Sequence, residues 1–143
     1  MEIQIRPAVR DDCSGITTMT KLLGYPSSED KVCQILEMVI KHPDHQIFVA
    51  HGDDQVAGYI HLVCSIRMGS EPFVEIAALF VHEVFQGKGV GSALIKAATN
   101  WAQEKDHRII RIRSNIVRKK AHKFFMRNGF DNLKTQEVFL KKL

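Results

Sequence analysis

Residues 86 to 92 read Gln86-Gly87-Lys88-Gly89-Val90-Gly91-Ser92. An apolar run, Phe73 to Val81, leads into them, and a segment of helical periodicity, Ser92 to Gln103, leads out. Strand, glycine-rich turn and helix, in that order, hold phosphate. Glycines let the backbone approach a ligand closely, with several N–H groups pointing inward. The helix that follows aims its first donors and its positive dipole end at the same spot. Lys88 adds a full positive charge. The stretch is therefore expected to bind a phosphorylated ligand.

Spacing excludes two common phosphate turns. A P-loop requires G-x-x-x-x-G-K-[ST], and no Lys-Ser or Lys-Thr follows a glycine at that spacing here. A dinucleotide fingerprint requires G-x-G-x-x-G with an acidic residue ~20 positions on. This turn is G-x-G-x-G, and Arg108, Arg111 and Arg113 occupy the downstream region. The pattern that fits is Q/R-x-x-G-x-G/A.

The rest of the chain sets the frame. A length of 143 residues predicts a single domain over 1–143 with one core. Hydrophobic content of 45% and charged content of 25% are those of an ordinary globular protein. No apolar run approaches a membrane span, so no membrane partner is expected. The start, Met1 to Arg6, lacks the features of a signal peptide. Cys13, Cys33 and Cys64 are isolated and odd in number, which predicts reduced thiols and a cytoplasmic location. No Cys/His spacing predicts a metal; His42 and His45 flank a Pro-Asp turn. Charge is unevenly placed: residues 1–70 carry six Lys/Arg and nine Asp/Glu, residues 71–143 fourteen and seven. A basic second half suits nucleic acid or a ligand with several phosphates. Only Phe124 and Phe125 lie close among the basic residues, so nucleic acid is the poorer fit.

In order, Glu2 to Arg6 alternates as a strand ended by Pro7. Asp11 and Asp12 sit at a helix cap before a periodic segment reaching Leu23. Ser28 starts a second helix, with Val32, Ile35, Leu36, Val39 and Ile40 on one face, ending near His42-Pro43. Gln46 to His51, a Gly52-Asp53-Asp54 turn and Val56 to Ile66 form a hairpin. After Phe73 to Val81 and the helix from Gly89, Arg108 to Arg113 reads as a strand. Val117 to Arg127 reads as a helix with Gly129 at C′. Phe130 to Leu133 and Val138 to Leu140 close the chain as strands. This order predicts an α/β fold, with a mixed central sheet of about seven strands flanked by helices on both faces.

Three features coincide from Val74 to Phe130. Val81 followed by Gln86-x-x-Gly89-x-Gly91 is similar to the cofactor motif of the GNAT family of acetyl-CoA-dependent N-acetyltransferases. Asn115 follows the next strand, as that family's asparagine often does. Ala121-x-x-Phe124-Phe125-x-x-x-Gly129-Phe130 resembles the family's A-x-x-F-Y-x-x-x-G-F segment. The element order is also that of the GNAT fold. The resemblance implies acetyl-CoA as cosubstrate and a primary amine as acceptor: a small amine, an aminoglycoside, or a protein amine. It implies that the backbone of Leu79, Phe80 and Val81 pairs with the pantetheine arm. The amides of Gln86, Gly87, Lys88, Gly89, Val90, Gly91 and Ser92 would bind the pyrophosphate. Asn115 would hydrogen-bond the pantetheine, Phe124 would pack along it, and Lys119, Lys120 and Lys123 would meet the ribose phosphate. A homodimer would be unsurprising for this fold.

Acetyl transfer needs a base, because an alkylammonium of pKa ~10.4 is no nucleophile at neutral pH. It needs a donor for the thioester oxygen, which a strand N–H near Leu79 to Val81 would supply. Glu75 is the candidate base, the one charged side chain in Phe73 to Val81. A carboxylate among apolar neighbours is tuned toward general-base use. It also lies 11 residues before Gln86, where several lysine-acetylating members carry their catalytic glutamate. His61 and His82 are the fallback bases. Phe125 stands where many members have a tyrosine that protonates the departing thiolate. That absence favours a second reading, a non-catalytic acyl-CoA-binding or regulatory domain. Asp11, Asp12, Glu29 and Asp30 in the acidic first half would suit a cationic acceptor.

Overall fold

The computed structural model describes residues 2–22, 24, 27–114 and 119–143. The chain divides into two compact units, Met1–Ile112 and Arg113–Leu143.

The first unit is built on a five-stranded sheet in the order β1-β2-β3-β4-β5. The strands are β1 (Gln4–Pro7), β2 (His45–Gly52), β3 (Gln55–Ser65), β4 (Phe73–Val81) and β5 (Ile110–Ile112). Neighbours through β4 are antiparallel, and β4–β5 is parallel. The β2–β3 hairpin turns on Asp53 and Asp54, at φ 50° and 60°. Both central residues are left-handed, as a type I′ turn requires, and aspartate tolerates that region better than most residues.

Three helices cover the sheet: α1 (Cys13–Leu22), α2 (Glu29–Lys41) and α3 (Val90–Glu104). A short 3-10 turn, Arg10–Asp12, precedes α1. Ser28 caps α2, its hydroxyl accepting from the Lys31 N–H at 3.2 Å. Glu29 and Asp30 fall in the first turn of α2, where carboxylates complement the helix dipole. The helices divide between the two faces. Ile16 and Met19 of α1 and Val32, Leu36 and Val39 of α2 form one cluster with Ile47, Val49 and Tyr59 of the sheet. Gly58, the neighbour of Tyr59, faces the other way, and a Cβ there would lie 3.4 Å from Leu94 of α3. The same Cβ would lie 2.5 Å from the Phe80 carbonyl, so only glycine lets β3 and β4 come this close.

Three expectations are corrected here. The sheet has five strands among the described residues, not about seven, and residues 130–143 carry no helix or strand. The two closing segments are four and three residues long. Asp131 and Asn132 are depleted in strands, and α4 (Lys119–Arg127), the regular element described in that unit, offers no edge to pair with. Asp12 is not an open acidic group. It is 6% exposed and held bidentately by Arg6 at 2.8 Å, with the Val9 N–H donating at 2.7 Å. Burial opposes its charge, but Arg6 and the Val9 amide still hold its carboxyl below the usual carboxylate range. Cys13 and Cys33 are joined as a disulfide between α1 and α2, with Cα atoms 5.2 Å apart, while Cys64 is free. Sequence spacing did not bring the two together; the packing of α1 against α2 does. With two of the three cysteines bonded, the cysteines no longer point to a cytoplasmic location. Among the described residues no helix is long and apolar enough to cross a membrane.

Candidate active site

β4 changes character half-way along. Val74, Glu75 and Ile76 pair with Cys64, Val63 and Leu62 on one edge and with Ile110, Arg111 and Ile112 on the other. The β3–β4 register then slips. Leu62 faces Ile76 but His61 faces Ala78, so Ala77 is an extra residue, a bulge. Beyond it β4 keeps β3 but has no β5 partner. Leu79, Phe80 and Val81, expected to pair with an extended ligand, lie on this half and are half-buried. A strand edge with one side unpaired accepts an extended chain through its backbone groups.

The glycine turn follows directly. His82 caps a 3-10 turn, Glu83–Phe85, its Nδ1 accepting from the Val84 N–H at 3.2 Å. That cap engages one of the two nitrogens His82 would bring to base catalysis. Phe85 is fully buried and anchors the turn. Gln86 Nε2 donates to the Val81 carbonyl at 3.2 Å, tying the turn to the end of β4. Gly87 and Gly89 have φ of 76° and 82°, which a side chain would strain. The Gly89 carbonyl accepts from the Ala93 N–H at 3.0 Å. The N–H groups of Val90, Gly91 and Ser92 therefore precede the first intrahelical bond and have no acceptor within α3. Gly89 supplies no side-chain cap, and the first turn of α3 contains no acidic residue. The positive end of the helix is left for an anion. Val90 buries its side chain and fixes this first turn, and Lys88 Nζ lies 5.9 Å from the Phe85 ring centroid.

Glu75 sits opposite Val63, and His61 opposite Ala78, so both lie on the α1–α2 face, one on each side of the bulge. The surroundings of Glu75 are not purely apolar. Arg67 donates to Glu75 Oε2 at 3.3 Å, and Arg111 is its register partner on β5. Both guanidiniums lie over the Phe73 ring, at 5.0 and 4.8 Å from its centroid. Position, and not apolar neighbours, is what recommends Glu75: it is a half-buried carboxylate on the face of β4, two residues before the bulge that begins the open half.

No local pattern in the sequence points to the partner of His61. His45 Nδ1 lies 3.0 Å from His61 Nε2. The two rings are diagonal cross-strand neighbours, since His61 pairs with Ile47 and His45 with Val63. Burial first, and His45 second, push His61 down to about 4. Burial and then His42 lower His45 as well. Knowledge of the β2–β3 register would have revealed this pair; residue spacing alone does not.

The second unit holds α4. Phe130 donates its N–H to the Phe125 carbonyl at 3.0 Å and Gly129 to that of Met126 at 3.2 Å, with Gly129 at φ 88°. This is the Schellman stop expected at Gly129. Phe125 packs on Phe124 and Phe130, at centroid distances of 5.6 and 5.8 Å. Lys119, Lys120 and Lys123 lie on the same helix. Asn115 and the expected helix start at Val117 lie outside the described residues.

The family described as "Acetyltransferase (GNAT) domain" matches residues 43–132. A protein of Methanocaldococcus jannaschii, named only as an uncharacterized N-acetyltransferase, is 26% identical over 105 residues. The match covers 72% of this chain and 46% of that relative, so the chain spans about half of its length. The fold is shared with AAC(6')-Iy in complex with a bisubstrate analog, CoA-S-monomethyl-acetylneamine, at TM-score 0.88, 20% identity and full coverage of both chains. It is also shared with the aminoglycoside 6'-N-acetyltransferase AAC(6')-Ih from Acinetobacter baumannii, at TM-score 0.85, 18% identity and 99% coverage of each. With the family match spanning more than half of its residues, the chain belongs to the GNAT family of acetyltransferases.

Proposed function

We propose that residues 1–143 form one N-acetyltransferase domain that moves an acetyl group from acetyl-CoA directly to a primary amine. One observation carries this reading. The half of β4 that loses its β5 partner runs straight into a glycine turn whose following helix begins with unclaimed amides. An extended arm ending in a pyrophosphate fits that sequence of features. The backbone of Leu79, Phe80 and Val81 takes the pantetheine. The amides from Gln86 through Ser92 take the pyrophosphate, with Lys88 beside them. Asn115 and Phe124 complete the cofactor contacts, and Lys119, Lys120 and Lys123 meet the ribose phosphate. Glu75 removes the ammonium proton after exchanging its contact with Arg67, and a β4 N–H steadies the oxyanion. No covalent enzyme intermediate is needed.

The structural neighbours support a first choice of acceptor to try. Both structural neighbours named above are described as aminoglycoside N-acetyltransferases, one of them in complex with the bisubstrate analog CoA-S-monomethyl-acetylneamine. An aminoglycoside or another small polyamine heads the panel to be tried, followed by peptide amines. Calorimetry with acetyl-CoA on the wild type and Gly89→Glu, combined with free-thiol release across that panel, tests the reading. Tight binding lost in a folded Gly89→Glu, with thiol release on at least one amine, is the expected result. Equal affinity in both proteins sinks the cofactor assignment. The alternative, a non-catalytic acyl-CoA-binding or regulatory domain, is favoured by the missing hydroxyl at Phe125. It gains if acetyl-CoA binds and no amine is acetylated.

A further inference from the structure

We propose that His61 and His45 form a proton relay that leads from the acceptor face of β4 to solvent, carrying away the proton that each acetyl transfer releases. The inference deepens the acetyltransferase reading and rests on it.

The reaction fixes what must move. An acceptor ammonium and acetyl-CoA become an amide, free CoA thiol and one proton. The nitrogen loses two protons; one ends on the CoA sulfur and one must reach water. Glu75 can take a proton from the amine, but it must discharge before the next turnover. On the same sheet face, across the bulge at Ala77, stands His61.

The His61–His45 contact has the form of a relay. At 3.0 Å, Nε2 of His61 and Nδ1 of His45 share one hydrogen. Two hydrogens there would point at each other, so the pair is built to work with neutral rings. The second nitrogen of His61, Nδ1, has no protein partner among the described residues. A proton arriving at His61 Nδ1 displaces the Nε2 proton onto His45 Nδ1, and His45 releases its Nε2 proton to water. Each ring is left as its other tautomer and resets on its own, giving its Nδ1 proton to water and taking one back on Nε2, so the reset carries no net proton between the two ends. Net, one proton enters and one leaves.

The surroundings keep the rings neutral. His61 lies among Ile47, Tyr59, Val63 and Ala78 on the sheet, and its depressed affinity for protons stops it from trapping the one it passes on. His45 is less buried and stands at the strand end beside His42, whose ring centroid is 4.8 Å away. Charged and titratable groups around the pair include His42 and Asp44 before β2, Lys105 with its Nζ 3.3 Å from the Pro43 carbonyl, Tyr59 two residues along β3 on the same face, and Glu75, held by Arg67, across the bulge. Cys64, on the opposite face, donates its backbone N–H to Asp44 at 2.8 Å and so fixes the turn that presents His45.

The test is steady-state thiol release by His61→Gln and His45→Gln, with and without added imidazole, alongside acetyl-CoA affinity and thermal melting. Glutamine keeps a polar side chain but cannot pass a proton between two nitrogens. For His61→Gln the relay predicts kcat lowered about 10- to 100-fold, unchanged acetyl-CoA affinity, and rate recovered by imidazole. For His45→Gln it predicts a smaller loss, also recovered. A wild-type kcat in a folded His61→Gln overturns the relay, and so does a loss that imidazole leaves untouched. If His61→Gln does not fold, His45→Gln carries the same test at a more exposed position. A wild type that turns over no amine overturns the acetyltransferase reading and the relay with it. An active wild type with unaffected variants overturns the relay alone.

Discussion

The two halves of β4 are made of similar residues and are used differently. Phe73, Val74 and Ile76 are almost wholly buried, with β3 on one side and, from Val74 to Ile76, β5 on the other. Leu79, Phe80 and Val81 are equally apolar, yet half-buried and paired on one side. One extra residue, Ala77, marks the change. The first half fills the core and satisfies its backbone on both edges. The second keeps β3 as a rigid support and, among the described residues, has no strand on its other edge. Composition does not divide the strand into scaffold and site; backbone pairing does.

Glu75, the polar residue of the paired half, is where a single substitution should have the largest effect. Glu75→Gln should leave acetyl-CoA affinity unchanged and lower kcat about 10²–10⁴-fold. The deficit should shrink as pH rises and solvent supplies more free amine. Loss of the contact with Arg67 should cost little stability, because that guanidinium is 41% exposed. An unchanged kcat at neutral pH would move the base to the open half, with His61 first.

The next effect is on stability. Phe73→Ala removes a ring that is 2% exposed and that supports Arg67 and Arg111. It should cost about 3–5 kcal/mol, read as a Tm lower by roughly 10 °C or more. Leu79→Ala, in the open half, should cost clearly less. Equal losses would mean that the two halves are packed alike.

These contrasts show what the sequence could and could not tell. The glycine turn, the strand before it, the helix after it, the Ser28 cap and the Gly129 stop were legible because each is a local signal. They rest on left-handed glycines, a capping hydroxyl or a change of period. The Asp53-Asp54 turn and the hairpin it closes were legible for the same reason. The bulge at Ala77 was not, because nothing in Ile76-Ala77-Ala78 marks which residue goes unpaired. The His45–His61 contact and the Arg67–Glu75 pair depend on cross-strand register. The Cys13–Cys33 bond depends on how α1 meets α2. Register and helix packing are tertiary quantities, and one sequence read along its length does not contain them in local form.

A third effect is acid sensitivity. His61 is held near 4, against about 6.5 in an unfolded chain, so the folded state binds fewer protons between those values. Stability from this group is therefore present above pH ~6.5 and falls as pH drops toward 4. Asp12, held below its ordinary range, acts in the same direction at lower pH, its contribution vanishing as pH falls through its folded value. The His61 part is at most about 3 kcal/mol and is reduced by the solvent that reaches the ring. Urea melts between pH 7 and pH 4 should lose stability steadily, and His61→Gln should flatten the slope. A wild-type curve with no slope in that window would show that His61 protonates as freely folded as unfolded.

The smallest effect is expected outside β4, at Phe125 in α4. A phenylalanine has no proton to give a departing thiolate, but a thiol of pKa ~8.5 is a fair leaving group without one. Phe125 packs its ring against Phe124 and Phe130, and a tyrosine adds one oxygen to that ring. Phe125→Tyr should therefore fold normally and change kcat by less than about tenfold, or ~1.4 kcal/mol. The high-pH limb of the wild-type kcat profile should contain no phenol titration from this position. A rise of several orders of magnitude in Phe125→Tyr would mean that thiolate protonation, and not amine deprotonation at the β4 face, limits the wild type. In that case the division of β4 would still describe how the cofactor is held, but it would no longer explain what sets the rate.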